Sequence, residues 1–419
     1  MPDSEKHIFF MSGELSGDMH AGELVKAIHK LRPKWHFTAI GSDHLRAAGA
    51  EIWQDCIRFG AIGIYEAAKR AWPILKMRSR FIRELPLINP DLLIAVDYRA
   101  VNINLLHAAH RLAYRGAYYI APVQWDTPPS TTGRRAMLKA LSLASRNRRI
   151  REQTKDRFKS VAEVCDLVIL TYPLCEDEYR RAGANVHYVG HPLVNIVERK
   201  LKQLQGDFQR AEEIAGLKSS GHKLIGVLPG SRMHEFKHHC PVLRKVIRVI
   251  RDAYPGTTFF LPMASPRLLP DLQRYWPDVR TDCRIVGPEE YDLYAAADIL
   301  LAKSGTAVQT GMILGVPMVA FYRVVSDSLY KISKALFLDR ELWTFPNVLA
   351  GRRIIPEFIQ SNFTVENVAG AALELLRDED AQLRQRTELL ELRDLLYRPD
   401  CLEHSAELVV ETVEKGDNL

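Results

Sequence analysis

Short apolar runs recur along the chain, each followed by a stretch whose apolar residues have helical spacing: HIFFM (7–11), DLLIAV (91–96), AYYIA (117–121), DLVIL (166–170), KLIGVL (223–228), TTFFLPM (257–263), DILLA (298–302) and PMVAFY (317–322). Runs of this length bounded by turn residues read as buried strands, and strands alternating with helices make parallel sheets covered on both faces. A polar, helix-prone stretch, ERKLKQLQGDFQRAEEIAGLKSSGH (198–222), separates two such series. The pattern predicts an α/β chain with two Rossmann-like, doubly wound domains over 1–195 and 196–385. Amphipathic helices over 386–419 follow, with Pro399 as a break. Ligands of such sheets bind outside the strand C-termini, so the chemistry is expected in the post-strand loops, facing a central cleft.

A length of 419 residues, 47% hydrophobic and 26% charged, suits two ordinary cores. The six Cys are scattered without a C-x-x-C pair, and the opening MPDSEKHIFFMSGE lacks a basic-then-apolar export signal. A reducing cytoplasm is the expected compartment. No uncharged apolar run approaches the roughly 18–20 residues that span a bilayer. The net charge of +6 is concentrated in two segments. Ala67 to Leu85 interleaves Lys69, Arg70, Lys76, Arg78, Arg80 and Arg83 with Trp72, Ile74, Leu75, Met77, Phe81 and Ile82, and Gly133 to Lys159 is similarly basic. Two expectations stand for each: a helix resting on anionic lipid, or a surface helix with a solvated basic face. No nucleic acid partner is expected, because neither segment carries an aromatic stacking platform.

Four post-strand loops carry candidate chemistry. In the first, Ser12, Gly13, Glu14, Ser16, Gly17 and Asp18 form SGELSGD, whose glycines permit close backbone approach or mark a plain turn and cap. The second places Asp97 directly after a strand, with Asn102 a turn later; this Asp either caps the helix or takes a proton from an attacking hydroxyl. The third, LPGSRMHEFKHH, has two incompatible readings. His234, Glu235 and His238 have the H-E-x-x-H spacing of a zinc metalloprotease, whereas Gly230-Ser231-Arg232 turns a strand into a helix start that attracts an anion. The fourth, Ser304-Gly305-Thr306, is a second helix start of that kind.

These loops, in order with IGIYEA (62–67), YVGHPLVN (188–195) and FPNVLAGRRIIPEFIQ (345–360), resemble those of the lipid-A-disaccharide synthases over nearly the whole chain. The resemblance implies a B-type glycosyltransferase fold (GT-B). It implies an inverting, metal-independent transfer of 2,3-diacylglucosamine from its UDP derivative to 2,3-diacylglucosamine 1-phosphate, with release of UDP. No cofactor is expected. The implied partners are a UDP-sugar donor, a glycolipid acceptor and the cytoplasmic face of the inner membrane; the C-terminal helices over 386–419 are expected either to pack back on the chain or to be exchanged in a homodimer. By matching motifs, Asp97 and Arg232 become catalytic. The donor set is Gly230, Ser231, Glu235, Ser304, Gly305, Thr306, Gln309, Thr310, Asn347, Gly351 and Arg352. Ser12, Gly13, Glu14, Ser16, Gly17, Asp18 and Asn102 face the acceptor. On this reading the H-E-x-x-H spacing is accidental, and His238 and His239 are expected on the solvent side of their helix.

The chain departs from the family pattern at three loops. Asp97-Tyr98-Arg99-Ala100-Val101-Asn102 replaces Asp-x-Pro-Asp-Phe-Asn, Thr310 replaces a Glu that would hold the ribose diol, and Trp125-Asp126-Thr127 replaces Trp-Ala-Trp. Two rivals follow: a glycosyltransferase using another sugar nucleotide or lipid acceptor, and a weakly active paralogue that binds UDP-sugar or lipid. The zinc metalloprotease is the minor alternative.

Overall fold

The structure, a computed structural model, describes residues 5–55, 64–123, 157–205, 207–218, 222–323 and 341–416, and only the backbone of 64–74, 100 and 157. Trp125-Asp126-Thr127 and most of the basic segment 133–159 lie outside the described residues. The chain divides into two compact units, 1–195 with 396–419, and 196–395.

The first unit is built on seven parallel strands: β1 (His7–Ser12), β2 (His36–Gly41), β3 (Glu51–Asp55), β4 (Leu92–Val96), β5 (Gly116–Tyr119), β6 (Leu167–Leu170) and β7 (Val186–Tyr188). Their order is β3-β2-β1-β4-β5-β6-β7. β1 and β4 lie side by side, Ile8 opposite Leu92 through Ser12 opposite Val96, and here the winding reverses. The second unit has six parallel strands: β8 (Leu224–Leu228), β9 (Thr258–Pro262), β10 (Arg284–Val286), β11 (Ile299–Lys303), β12 (Met318–Tyr322) and β13 (Glu357–Ile359). Their order, β10-β9-β8-β11-β12-β13, reverses between β8 and β11. Such reversals open a crevice at the strand C-termini. β2 and the edge strands β3, β7, β10 and β13 have no counterpart among the apolar runs. β2 is buried, but His36 and Thr38 break its apolar stretch; each edge strand is short and half-exposed, so it carries no continuous apolar stretch.

The basic amphipathic segment continues as a helix to Ile88. Met77, Phe81 and Leu85, at successive i+4 spacing, are buried. Phe81 packs on Phe9 and Trp53, ring centroids 5.6 and 6.1 Å away. Arg80 lies 4.3 Å above the Trp53 ring and pairs with Glu84 at 3.0 Å, where Arg83 also binds at 3.2 Å. The expectation that Phe81 dips into lipid is therefore corrected: an aromatic ring with core partners available is used beneath the sheet. The side chains of Trp72 and Ile74 lie outside the description.

At the chain's end, the Glu379–Leu396 helix closes the second unit, its Gln385 accepting the Met318 N–H of β12. The Cys401–Lys415 helix packs on Leu15–Leu31 in the first unit, with Ala406, Val409 and Val413 in the shared core and Arg32 pairing with Glu414 at 2.7 Å. Among the described residues, no helix is long and apolar enough to cross a membrane.

Phe81→Ala should destabilise the first unit by about 3–5 kcal/mol, the cost of a cavity beneath the sheet. Leu87→Ala, on the same helix but 83% exposed, should stay within about 0.5 kcal/mol. Urea unfolding of the two variants checks this.

Candidate functional site

At the β8/β11 reversal the chain leaves β8 through Pro229, Gly230 and Ser231 and enters the long Met233–Ala253 helix with Arg232 as N-cap. Gly230 has φ +120°, and a Cβ there would collide with the Glu235 carboxylate, so this turn needs glycine. Glu235, in the first helical turn, folds back so that its Oε2 accepts the Ser231 N–H at 2.8 Å. Such a carboxylate satisfies a helix-start donor and meets the positive end of the dipole.

The Glu235 side chain is fully buried. Its Oε1 takes no aligned hydrogen bond; it lies 2.9 Å from Lys303 Nζ and 3.6 Å from the Arg232 guanidinium. Burial pushes this carboxyl up, but the charges of Lys303 and Arg232 outweigh burial and hold it down at about 2. One carboxylate thus faces two cations at this turn. Lys303 ends β11 and passes directly into Ser304 and Gly305, the latter at φ +136°, before the Thr306–Ile313 helix. The structure thus brings Gly230, Ser231, Arg232 and Glu235 together with a lysine that motif reading missed. Its only sequence signal was a charge closing an otherwise apolar strand.

Other donor-set residues are committed to the backbone. The Thr310 hydroxyl donates to the Thr306 carbonyl at 3.0 Å, and the side chain is buried. Asn347 is fully buried: its Nδ2 donates to the Ile355 carbonyl at 3.0 Å and its Oδ1 accepts the N–H groups of Ile354 and Ile355. Gly351 ends the Phe345–Ala350 helix at φ +68°, and Arg352 pairs with Glu388 at 2.8 Å. Glu357, another residue not singled out from sequence, accepts the N–H and hydroxyl of Thr344 at 2.9 and 2.8 Å. Ser304 donates towards the Trp343 carbonyl at 3.5 Å, which links this segment to the Lys303 strand end. Gln309 is half-buried on its helix.

In the first unit the loop after β1 meets the loop after β4. Asp97 and Tyr98 both sit at positive φ, +47° and +41°, a strained pair for residues with side chains. The Tyr98 ring lies where a side chain on Gly13 would stand, so the two loops fit only because residue 13 is glycine. Asp97 is exposed, and its carbonyl accepts the Tyr118 hydroxyl at 2.8 Å. Asn102 is buried, its Nδ2 2.9–3.0 Å from the carbonyls of Met11, Val96 and Asp97, so its amide ties the ends of β1 and β4 together. Asp18 is fully buried and accepts the N–H groups of Ser42 and His44; burial raises its carboxyl while these bonds lower it. Ser12 is buried and donates to the Glu14 carbonyl at 3.1 Å, and Gly17 packs against its hydroxyl; Glu14 and Ser16 are half-buried.

The histidines correct one expectation and bear on the minor alternative. His239 does not face solvent. It is fully buried, with Nδ1 2.6 Å from the Pro229 carbonyl, so that this nitrogen carries the proton, and Nε2 accepts the Arg323 N–H at 3.1 Å. Its ring joins the β8 turn to the end of β12 and packs on Phe321 and Phe363. The zinc reading also falls. Glu235, its required general base, is locked between Lys303 and Arg232, and among the described residues no three metal-ligating side chains cluster.

Two parallel sheets of this topology, with loops gathered at the reversals, define the class: a B-type glycosyltransferase fold. Solved structures share it. A Neisseria meningitidis UDP-GlcNAc 2-epimerase bound to UDP-GlcNAc is 13% identical with TM-score 0.57, covering 98% of this chain and 100% of the other. The S. aureus MnaA-UDP co-structure is 14% identical with TM-score 0.60, covering 99% and 97%. At these identities the likeness is one of fold alone. The family follows from sequence: the lipid-A-disaccharide synthetase model matches residues 8–133 and 153–410, and the chain belongs to that family. Curated lipid-A-disaccharide synthases, which are glycosyltransferases, agree over full length. The protein of Geobacter metallireducens is 30% identical over 412 residues, 98% of each chain. That of Nitrosococcus oceani is 30% identical over 420 residues, 100% of this chain and 99% of the relative.

Burial holds the His239 ring neutral, its pKa lowered to about 4 from 6.5. The unfolded chain takes up this proton first as pH falls, so the contribution is complete above about pH 6.5 and is lost towards pH 4. Glu235, at about 2 against 4.5, adds a second loss from pH 4.5 down towards 2. Chemical denaturation between pH 6.5 and 4 should show His239→Gln with a shallower pH slope than wild type, by up to about 1.4 kcal/mol per pH unit.

Proposed function

We propose that this protein transfers 2,3-diacylglucosamine from its UDP derivative to 2,3-diacylglucosamine 1-phosphate, inverting the anomeric centre without a metal and releasing UDP. The observation that carries the reading is the pair of cations, Arg232 and Lys303, gathered at the Gly230–Arg232 turn where a 21-residue helix starts. Single-displacement inversion needs a sink for the charge that grows on the leaving diphosphate, and a preorganised cation beside a helix N-terminus supplies it. Arg232 is that sink, with the Ser304-Gly305-Thr306 helix start beside it.

Asp97 is the proposed base. Its carboxylate is exposed at a strand end, and the strained backbone, the Tyr118 hydroxyl and Asn102 fix where the chain leaves β4. Asn102 therefore acts through the main chain rather than on a sugar hydroxyl. The Ser12–Asp18 loop takes the acceptor side, and its buried Asp18 holds the loop against Ser42 and His44. Because the Thr310 hydroxyl is spent on Thr306, recognition of the ribose diol passes to Gln309. Asn347, Gly351 and Arg352 shape the donor side by fixing the turn that follows their helix. The glycolipids place the protein peripherally at the cytoplasmic face of the inner membrane, where the exposed Leu75 and Leu87 are suited to the interface. A homodimer belongs to the reading as well, with the Cys401–Lys415 helix as the element to be exchanged.

UDP release in the presence of both diacylated substrates and a chelator tests the reading; binding of UDP without any turnover contradicts it. Arg232→Ala should cut kcat by about 10²–10³-fold, the loss expected for one preorganised donor to developing charge. Asp97→Asn should cut kcat at least about 10²-fold yet leave UDP affinity within a few-fold, since the amide keeps the shape and cannot accept the proton. Equal losses of UDP affinity in Asp97→Asn would make that residue structural.

A further inference from the structure

We propose that Lys303 is a second diphosphate-binding cation, working beside Arg232 to select nucleoside diphosphates over nucleosides. The role rests on the donor-site reading above and extends it to a residue outside the recognised motifs. The Ser304-Gly305-Thr306 motif supplies N–H groups and hydroxyls but no cation. Lys303 supplies one at the same point. β11 runs beside β8, Ala302 opposite Leu228, so the next residue emerges at the reversal where the Gly230–Arg232 turn begins. Its Nζ lies 2.9 Å from Glu235 Oε1 and 3.1 Å from where a Cβ on Gly305 would stand. The ammonium thus bridges two helix starts, those of Met233 and Thr306, and Gly305 leaves room for it.

The geometry favours a ligand contact over simple neutralisation of Glu235. Glu235 faces Arg232 at 3.6 Å as well as Lys303. A second cation, only 14% exposed, is costly to desolvate unless another anion joins it. An ammonium has three donors, and Glu235 Oε1 takes at most one of them, off the hydrogen-bonding direction. The Tyr322 ring, 5.3 Å from Nζ, holds the chain in place without using a donor. Glu235 keeps the ammonium parked, and the diphosphate takes up its remaining donors.

Calorimetric titration of the full chain with UDP, UMP and uridine tests this, using wild type, Lys303→Met, Lys303→Arg and the double change Lys303→Met/Glu235→Gln. The double variant removes both charges of the pair together, so a loss there does not reflect a stranded buried carboxylate. Both Met variants should bind UDP about tenfold to a hundredfold more weakly, the size of a lost hydrogen bond to a charged group. Their uridine affinity should stay within about twofold of wild type, and Lys303→Arg should recover part of the UDP loss. UDP affinity within about threefold of wild type in both Met variants overturns the proposal, as does an equal fall for uridine, which marks a structural role. Wild type that fails to bind UDP overturns the donor-site reading and this role with it; wild type that binds UDP while the Met variants match it sinks Lys303 alone.

Discussion

A fully buried carboxylate is the constraint around which the second unit's site is arranged. Glu235 has left water, and an isolated charge in that position is untenable. It stays ionised because the Ser231 N–H, Lys303 and Arg232 surround it. Each partner comes from a different place: the turn after β8, the end of β11 and the helix N-cap. Satisfying one charge therefore pins three elements to one another. It also brings two cations to the point where the sheet reverses, and the proposed diphosphate site rests on them.

The same device recurs without net charge. Asn102 ties the ends of β1 and β4, Asn347 holds the chain at Ile354 and Ile355, and His239 joins Pro229 to Arg323. In each case a buried polar side chain satisfies main-chain groups that would otherwise be orphaned where strands end. Asn102 and Asn347, both singled out from sequence as ligand contacts, thus have amides that are bonded to the main chain of neighbouring loops. Preorganisation of this kind lets a loop hold its groups in place before charge develops.

Apart from β2, whose run is broken by His36 and Thr38, the internal strands were readable because both their faces are buried, which writes them as unbroken apolar runs. The edge strands β3, β7, β10 and β13 were not, because one side of each is wet and polar residues interrupt the run. Met77, Phe81 and Leu85 did carry the i+4 spacing of a buried stripe, but the arginines between them offered an equally regular pattern, and only the packing on Phe9 and Trp53 decides between the two. In the site, Gly230, Arg232 and Glu235 were legible since their relation is local to one turn. Lys303 was hidden because its partner is distant in sequence, and His239 because a histidine-rich helix does not announce which ring faces inward. Thr310 read as a lost carboxylate, yet sequence could not show its hydroxyl bonded back to Thr306.

The most direct test of the account is a crystal structure of the protein with UDP. The diphosphate should lie at the Gly230–Arg232 turn, its oxygens about 3 Å from both the Arg232 guanidinium and Lys303 Nζ, with Glu235 still buried beneath them. A diphosphate bound away from both cations, with the Glu235–Lys303 pair untouched, would contradict the claim that these two cations are what the site is built to supply.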